Sequence, residues 1–228
     1  RTWSDPARVA EIMVDADPGL TARAIIEATS GVGPGRWLEW WWEADRLVQE
    51  TLVPELSGEV TEPAVAAEAG RADAELMVVG SSMPIRDVEA YAFAPPRVVG
   101  NRGASGIDGF VSTALGAARH SSRVLALAGD LSILHDSNGF LVDEWSPVIF
   151  VVVDNSGGGI FSLLPQADTP GLDSNASSPP PTGAIWLVSP SSMEEGWKQD
   201  RPGMVIVRTD RDQNVAEHTR LARLVDEA

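Results

Sequence analysis

Cysteine is absent from this chain of 228 residues. That excludes a disulfide framework, a thiolate zinc site, an iron–sulfur cluster and a cysteine nucleophile, and it suits a reducing cytoplasm. Cations are scarce: 17 Lys and Arg stand against 33 Asp and Glu, a formal net charge of −16. The balance argues against a nucleic-acid partner gripped through a general basic surface and against an anionic membrane surface. Long apolar runs are missing too. The longest, Val148–Val153, is strand-sized, far short of the roughly 18 residues of a membrane span. The opening Arg1-Thr2-Trp3-Ser4-Asp5-Pro6 holds no initiator Met and no signal-peptide apolar region, which predicts a chain cut from something longer.

What is present suffices for a substantial core, as one large domain or one domain with a small companion. Charge is uneven. Residues 43–75 carry nine Asp or Glu and two Arg, whereas residues 86–123 carry five Arg and three Asp or Glu. A local arginine excess in an acidic chain suits anionic small molecules, and ordinary surface scatter gives the same count. Residues 5–28 read as one or two helices, with Ser4 or Asp5 as cap, Pro6 in the first turn and Val9, Ile12 and Met13 on one face. Trp37, Trp40, Trp41 and Trp42 stand at helical spacing, which favours core or interface packing over a binding platform. Thr61-Glu62-Pro63 reads as a capped helix start.

Beyond residue 61 the pattern changes to short continuous apolar runs alternating with helices. Strands are predicted at Leu76–Val79, Arg97–Val99, Val124–Ala128 and Val148–Val153, and at 184–188 and 204–208. Helices are predicted at Gly109–Arg119, Leu131–Val142 and Asn214–Val225, and residues 165–183, rich in Pro and Ser, read as a loop. Such alternation predicts an α/β fold, a buried parallel sheet with helices on both faces. Ligands bind such sheets beyond the carboxyl ends of the strands. Ser82, Arg102, Asp130 and Asn155 all stand there.

Three constellations could carry chemistry. Gly129-Asp130 ends one predicted strand, and Asp154-Asn155 ends the next, 25 positions further, before Ser156-Gly157-Gly158-Gly159. A carboxylate, an amide oxygen and glycine carbonyls are the hard donors that Mg²⁺ takes, and adjacent glycines let a backbone approach a diphosphate. The same residues are ordinary turn formers, and on type alone that reading is the commoner one. Gly80-Ser81-Ser82-Met83-Pro84-Ile85-Arg86-Asp87 and Gly100-Asn101-Arg102-Gly103-Ala104-Ser105-Gly106-Ile107-Asp108-Gly109 each deliver an arginine after a strand. Guanidinium forks suit carboxylates, while salt-bridged loop arginines are the frequent alternative. The glycines do not match the nicotinamide fingerprint. His135 and Asp136 suit a structural role at a helix start, and His120 and His218 read as surface residues.

Taken in order, four segments carry a narrower signal: Ser82-Met83-Pro84-Ile85-Arg86-Asp87, Asn101 through Gly109, Gly129 through Gly139, and Gly158-Gly159-Ile160-Phe161-Ser162-Leu163-Leu164-Pro165. Gly129-Asp130 followed by Asp154-Asn155 resembles the thiamine-diphosphate motif. The whole set resembles the 2-succinyl-5-enolpyruvyl-6-hydroxy-3-cyclohexene-1-carboxylate synthase family of menaquinone biosynthesis. The match is dense over 61–165, loose over 1–60 and 200–228, and lost over 166–199.

The resemblance implies the C-terminal part of a three-domain enzyme: residues 1–60 as the tail of a central domain, residues 61–228 as the diphosphate-binding domain, and no pyrimidine-binding domain. It implies a decarboxylating transferase that joins 2-oxoglutarate to isochorismate in the cytoplasm. Its cofactors would be thiamine diphosphate and Mg²⁺ or Mn²⁺, its assembly a homodimer or homotetramer. Asp130, Asn155 and the Gly157 carbonyl would hold the metal. Gly129, Leu131, Ser132 and Gly158 would surround the diphosphate, and Ile107 would press under the thiazolium. Ser82, Arg86 and Arg102 would meet substrate carboxylates and hydroxyls, and Ile160, Phe161 and Leu164 would form an apolar wall. The glutamate that promotes ylide formation in such enzymes belongs to the pyrimidine-binding domain. The chain is therefore expected to need that domain, from the same or another chain, for turnover. Two alternatives stand beside this reading: a thiamine-dependent decarboxylase or synthase of other 2-oxoacids, and a cofactor-binding or assembly module without turnover. A bare apolar surface facing the missing partner is a further expectation.

Overall fold

The computed structural model describes residues 7–33, 35–102, 106–142, 148–165, 167 and 203–228. The chain divides into two compact units, Arg1–Asp45 and Arg46–Ala228.

In the first unit, helix α1 spans Pro18–Thr29. Asp17 accepts a hydrogen bond from the Leu20 amide at 2.9 Å, and Pro18 occupies the first helical position. The helix expected from residue 5 onward thus starts later. Asp17-Pro18 repeats the same cap-and-proline signal, and a proline disfavours helical backbone in the residue before it. Val9, Ile12 and Met13 lie outside any helix and are exposed. Helix α2, Arg36–Glu55, begins in this unit and carries the four tryptophans. They are 59–68 % exposed, so the core packing expected for them is not their role within this chain. Trp37 meets Trp41 edge to face at 5.9 Å, and the Arg36 guanidinium stands 5.6 Å from the Trp40 ring.

The second unit is built on continuous apolar strands. Strands β1 (Leu76–Gly80), β3 (Val124–Gly129) and β4 (Val148–Asp154) are buried nearly throughout, as strands covered on both faces must be. β2 (Arg97–Asn101) is the more exposed edge strand, and β5 (Gly203–Arg208) closes the other side. All pairings are parallel, in the order β2-β1-β3-β4-β5. Alternate side chains enter two cores. Val78, Ala126, Phe150 and Ile206 pack with Phe110, Val111 and Ala114 of helix α5 (Phe110–Ala117). Met77, Leu125, Val151 and Val205 pack with Ala66 and Ala69 of helix α3 (Glu62–Arg71) and with Val88 of helix α4 (Met83–Tyr91). This is the expected α/β sheet with helices on both faces.

Three local details differ from expectation. Arg86, for which a loop position was the alternative, stands instead on a helix: residues 83–91 form α4, with Pro84 tolerated in its first turn. The helix expected over Leu131–Val142 ends early: α6 spans only Asp130–His135, followed by a 3₁₀ turn at Ser137–Phe140. Asp136 accounts for the break, because its carboxylate accepts from the Ser112 amide at 2.7 Å and hydroxyl at 3.2 Å, capping α5. His135, at the end of α6 rather than at a helix start, pairs with Asp108 at 3.0 Å. The closing helix α7, Arg211–Glu227, is longer than expected and starts at the Asp210 cap. The strand expected at 184–188 lies outside the described residues, as does the 165–183 loop apart from Pro165 and Ala167. Among the described residues, no helix is long and apolar enough to cross a membrane.

The strand order carries the positional consequence. From β1 the chain moves outward to β2, then crosses back over β1 to β3 and continues to β4 and β5. The order reverses between β1 and β3, where open α/β sheets hold their ligands.

Candidate functional site

A cavity of about 240 Å³ opens at that reversal point. The ends of β1, β3 and β4 contribute to it. After β1, Ser81 donates its hydroxyl to the Asn101 carbonyl at 3.0 Å, tying the ends of β1 and β2 together. Ser82 follows with φ +84°, a left-handed conformation that only surrounding structure can impose on a serine. It lines the cavity at the head of α4. Ile107 enters from the segment before α5.

After β3 come Gly129, Asp130, Leu131 and Ser132, all cavity-lining. Asp130 is 3 % exposed and accepts from the Leu131 amide at 2.8 Å and from the Gly157 amide. Burial pushes its carboxyl above the usual range, and neighbouring Asp154 pushes in the same direction, against the two amide bonds. A bound cation would reverse that cost by favouring the charged form.

After β4 come Asn155 and the glycine turn. Ser156, Gly157 and Gly158 all have positive φ, at 63°, 83° and 66°. Successive positive φ values turn the backbone tightly there, and the Gly157 N–H favours the charged form of Asp130. A Cβ on Gly159 would collide with the Asn155 amide nitrogen, so only glycine fits beside that side chain. Gly158, Ile160 and Phe161 complete the lining.

Of the residues singled out in the sequence, Ser82, Ile107, Gly129, Asp130, Leu131, Ser132, Asn155, Gly158, Ile160 and Phe161 therefore meet around one cavity. Gly157 stands next to Gly158 of that lining, and three others do not line it. Arg86 is exposed on α4 and donates to the Ser82 carbonyl. Arg102 is exposed just past β2, on the same sheet edge. Leu164 caps the 3₁₀ turn Gly159–Leu163 and is 37 % exposed.

The metal donors can be tested against the structure. Asn155 is 9 % exposed, and its Oδ1 has no hydrogen-bond partner among the described residues. An unsatisfied buried carbonyl oxygen is costly, and a cation is the natural occupant beside a buried carboxylate. No cluster of three His, Asp or Glu exists among the described residues. The donor set is thus one carboxylate, one amide oxygen and backbone carbonyls, which fits Mg²⁺ with phosphate and water completing its sphere.

Two residues escaped the sequence reading. Glu62, at the head of α3, is 2 % exposed and lines the cavity. Its Oε1 accepts from Asn155 Nδ2 and from the Thr209 hydroxyl, each at 3.0 Å. Burial holds its carboxyl above the usual range despite both hydrogen bonds. His218, expected at the surface, is instead largely buried on α7, with Nε2 2.8 Å from Asp87 and Nδ1 2.8 Å from the Asn214 carbonyl. Both neighbours are acceptors, which favours a ring carrying protons on both nitrogens. Burial opposes that charge, yet the Asp87 and Asn214 hydrogen bonds prevail and raise the imidazole above its ordinary value. These partners lie 93 and 131 positions apart, beyond the reach of local pattern.

Comparison with known proteins gives a consistent relationship. No family model matches the chain. The 2-succinyl-5-enolpyruvyl-6-hydroxy-3-cyclohexene-1-carboxylate synthase of Chloroflexus aurantiacus is 37 % identical across 99 % of this chain and 43 % of its own length. The Rubrobacter xylanophilus synthase of the same name is 34 % identical across 96 % of this chain and 42 % of its own. That of Geobacillus kaustophilus reaches 39 % identity over 72 % of this chain and 30 % of its own. The chain spans less than half the length of these curated relatives.

Proposed function

Because the chain belongs to the 2-succinyl-5-enolpyruvyl-6-hydroxy-3-cyclohexene-1-carboxylate synthase family, we propose that it is the C-terminal, diphosphate-binding part of such an enzyme. In this reading residues 61–228 form the diphosphate-binding domain and residues 1–60 the tail of a central domain. The reaction would decarboxylate 2-oxoglutarate and add the resulting succinyl carbanion equivalent to isochorismate, in the cytoplasm. The single observation that carries the reading is the cavity at the β1–β3 reversal, which unites Asp130, Asn155 and the glycine turn with Ser82 and Ile107.

Asp130, Asn155 Oδ1 and the Gly157 carbonyl would hold Mg²⁺ or Mn²⁺, whose charge would offset that of the diphosphate. Thiamine diphosphate, when bound, supplies the electron sink for the decarboxylation. The chain's own residues have simpler tasks. Gly129, Gly158 and the backbone of Leu131 and Ser132 leave room for the diphosphate and can direct amides at it. Ile107 supplies an apolar support within the cavity. Ser82, which lines the cavity, and the guanidinium groups of Arg86 and Arg102 would clamp substrate carboxylates. Both substrates are polyanions, which suits the arginine excess over residues 86–123. Ile160 and Phe161, with Leu164 beyond them, would exclude water from the reacting carbon. A pyrimidine-binding domain, from the same or another chain in a homodimer or homotetramer, would complete the site.

The test is turnover by the chain supplied with a pyrimidine-binding domain, with 2-oxoglutarate and pyruvate in separate arms beside isochorismate. The expected result is product from 2-oxoglutarate, with Arg86→Ala and Arg102→Ala each losing roughly tenfold or more in kcat/KM, the scale of one charged hydrogen bond. Preference for pyruvate would transfer the chain to another 2-oxoacid chemistry. Absence of turnover despite tight cofactor binding would make it a module without catalysis.

A further inference from the structure

We infer that Glu62 is a positioning residue for the metal-binding oxygen of Asn155. The inference rests on the cation site proposed above and adds a residue to it. An asparagine side chain presents two nearly isosteric ends, and only the oxygen can bind a cation. Something must hold the amide the right way round. Glu62 does so by geometry: its Oε1 accepts from the Asn155 Nδ2 amide at 3.0 Å, which turns the nitrogen end of the side chain toward it. That orientation leaves Oδ1 buried and without a partner among the described residues.

The surroundings reinforce one orientation. The Thr209 hydroxyl donates to the same Glu62 Oε1 at 3.0 Å, fixing the carboxylate from the β5 side. Gly159 lies so close to Nδ2 that a Cβ there would collide with it, so the glycine leaves room for the nitrogen in this position. Arg211 holds the backbone beneath, its Nε 3.1 Å from the Asn155 carbonyl and its Nη2 2.8 Å from the Ser156 carbonyl. Glu62 itself sits at the first position of α3, with Thr61 capping the helix through the Ala64 amide at 3.3 Å. A carboxylate 2 % exposed at a helix head would be an expensive way merely to start a helix. Outer partners that orient a metal ligand commonly govern affinity by about 10–100-fold.

The test reads cation binding rather than turnover. The full chain is titrated with Mn²⁺ in the presence of thiamine diphosphate, and bound Mn²⁺ is followed by its electron paramagnetic resonance signal. E62L, which keeps bulk but removes the acceptor, should weaken Mn²⁺ binding at least tenfold. E62Q, whose carbonyl can accept the same Nδ2 hydrogen bond, should recover most of the affinity. The exchange variant E62Q/N155D swaps amide and carboxylate across one hydrogen bond. It should bind Mn²⁺ more tightly than N155D alone, in which two carboxylates face each other. That comparison stands even where E62L fails to fold. Equal binding by wild type, E62L and E62Q, with loss in D130A, would overturn the role of Glu62 and leave the cation site intact. An exchange variant no better than N155D would overturn it as well. No binding by the wild-type chain would remove the cation site and the inference together.

Discussion

The two units of this chain treat their apolar residues in opposite ways. In the sheet unit, Phe110, Phe150, Leu125 and Leu127 are at most 1 % exposed. In the first unit, Leu20, Ile25, Ile26, Val32 and the tryptophans of α2 are all at least 58 % exposed. Both stretches carry clear hydrophobic pattern. Pattern marks residues that seek burial, and it becomes packing only where the partner surface belongs to the same chain. The β-strands have partners on both faces, whereas the apolar residues of α1 and the tryptophan segment of α2 stay exposed among the described residues.

That contrast can be broken most forcefully in the sheet. Phe150, fully buried and edge to face with Phe110 and Phe140, should cost about 3–5 kcal/mol of unfolding free energy as Phe150→Ala. Denaturant unfolding with a loss below about 1 kcal/mol would show that the core is not packed as described. A smaller effect concerns the brace between α4 and α7. Because the folded state raises the His218 imidazole above its ordinary value, the ion pair with Asp87 stabilises fully below about pH 6.5. The contribution fades as pH rises through the raised folded value. Asp87, Glu62 and Glu217 supply the charge that His218 feels, and the Tyr91 ring lies edge-on at 5.9 Å. Tyr91, its phenol pushed up to about 12 by burial and Asp87, stays neutral across that range. Asp87→Asn should flatten this part of the stability profile, and an unchanged slope between pH 6 and 8 would refute the pairing. The smallest effect is expected at Trp41. Trp41→Ala should change stability by less than about 1 kcal/mol, the worth of its edge contact with Trp37. A loss comparable to Phe150→Ala would erase the distinction between the two units.

Much of the sheet was legible because its signal is local. Leu76–Gly80, Val124–Gly129 and Val148–Asp154 are unbroken apolar runs ended by small or polar residues, and parallel topology then places every strand end on one edge. Asp130 and Asn155 were readable for the same reason: they are the first residues after their strands. Glu62 and His218 were not, since what defines them is a partner across the fold. Glu62 reads locally as a first-turn acid favoured by the helix dipole, and only the register of β4 brings Asn155 beneath it. The early end of α6 was hidden likewise. Asp136 prefers to cap a helix 24 positions upstream rather than continue its own.

A diphosphate held through a cation on Asp130 and Asn155 is what we propose for the β1–β3 cavity. The most direct measurement is calorimetric titration of the chain with thiamine diphosphate, with and without Mg²⁺, beside Asp130→Ala. Binding is predicted with Mg²⁺, and it should weaken about a hundredfold or more when either the ion or the Asp130 carboxylate is removed. Equal binding in all arms would overturn the proposal, because the ligand would then be held without an ion between the Asp130 carboxylate and the Asn155 amide oxygen.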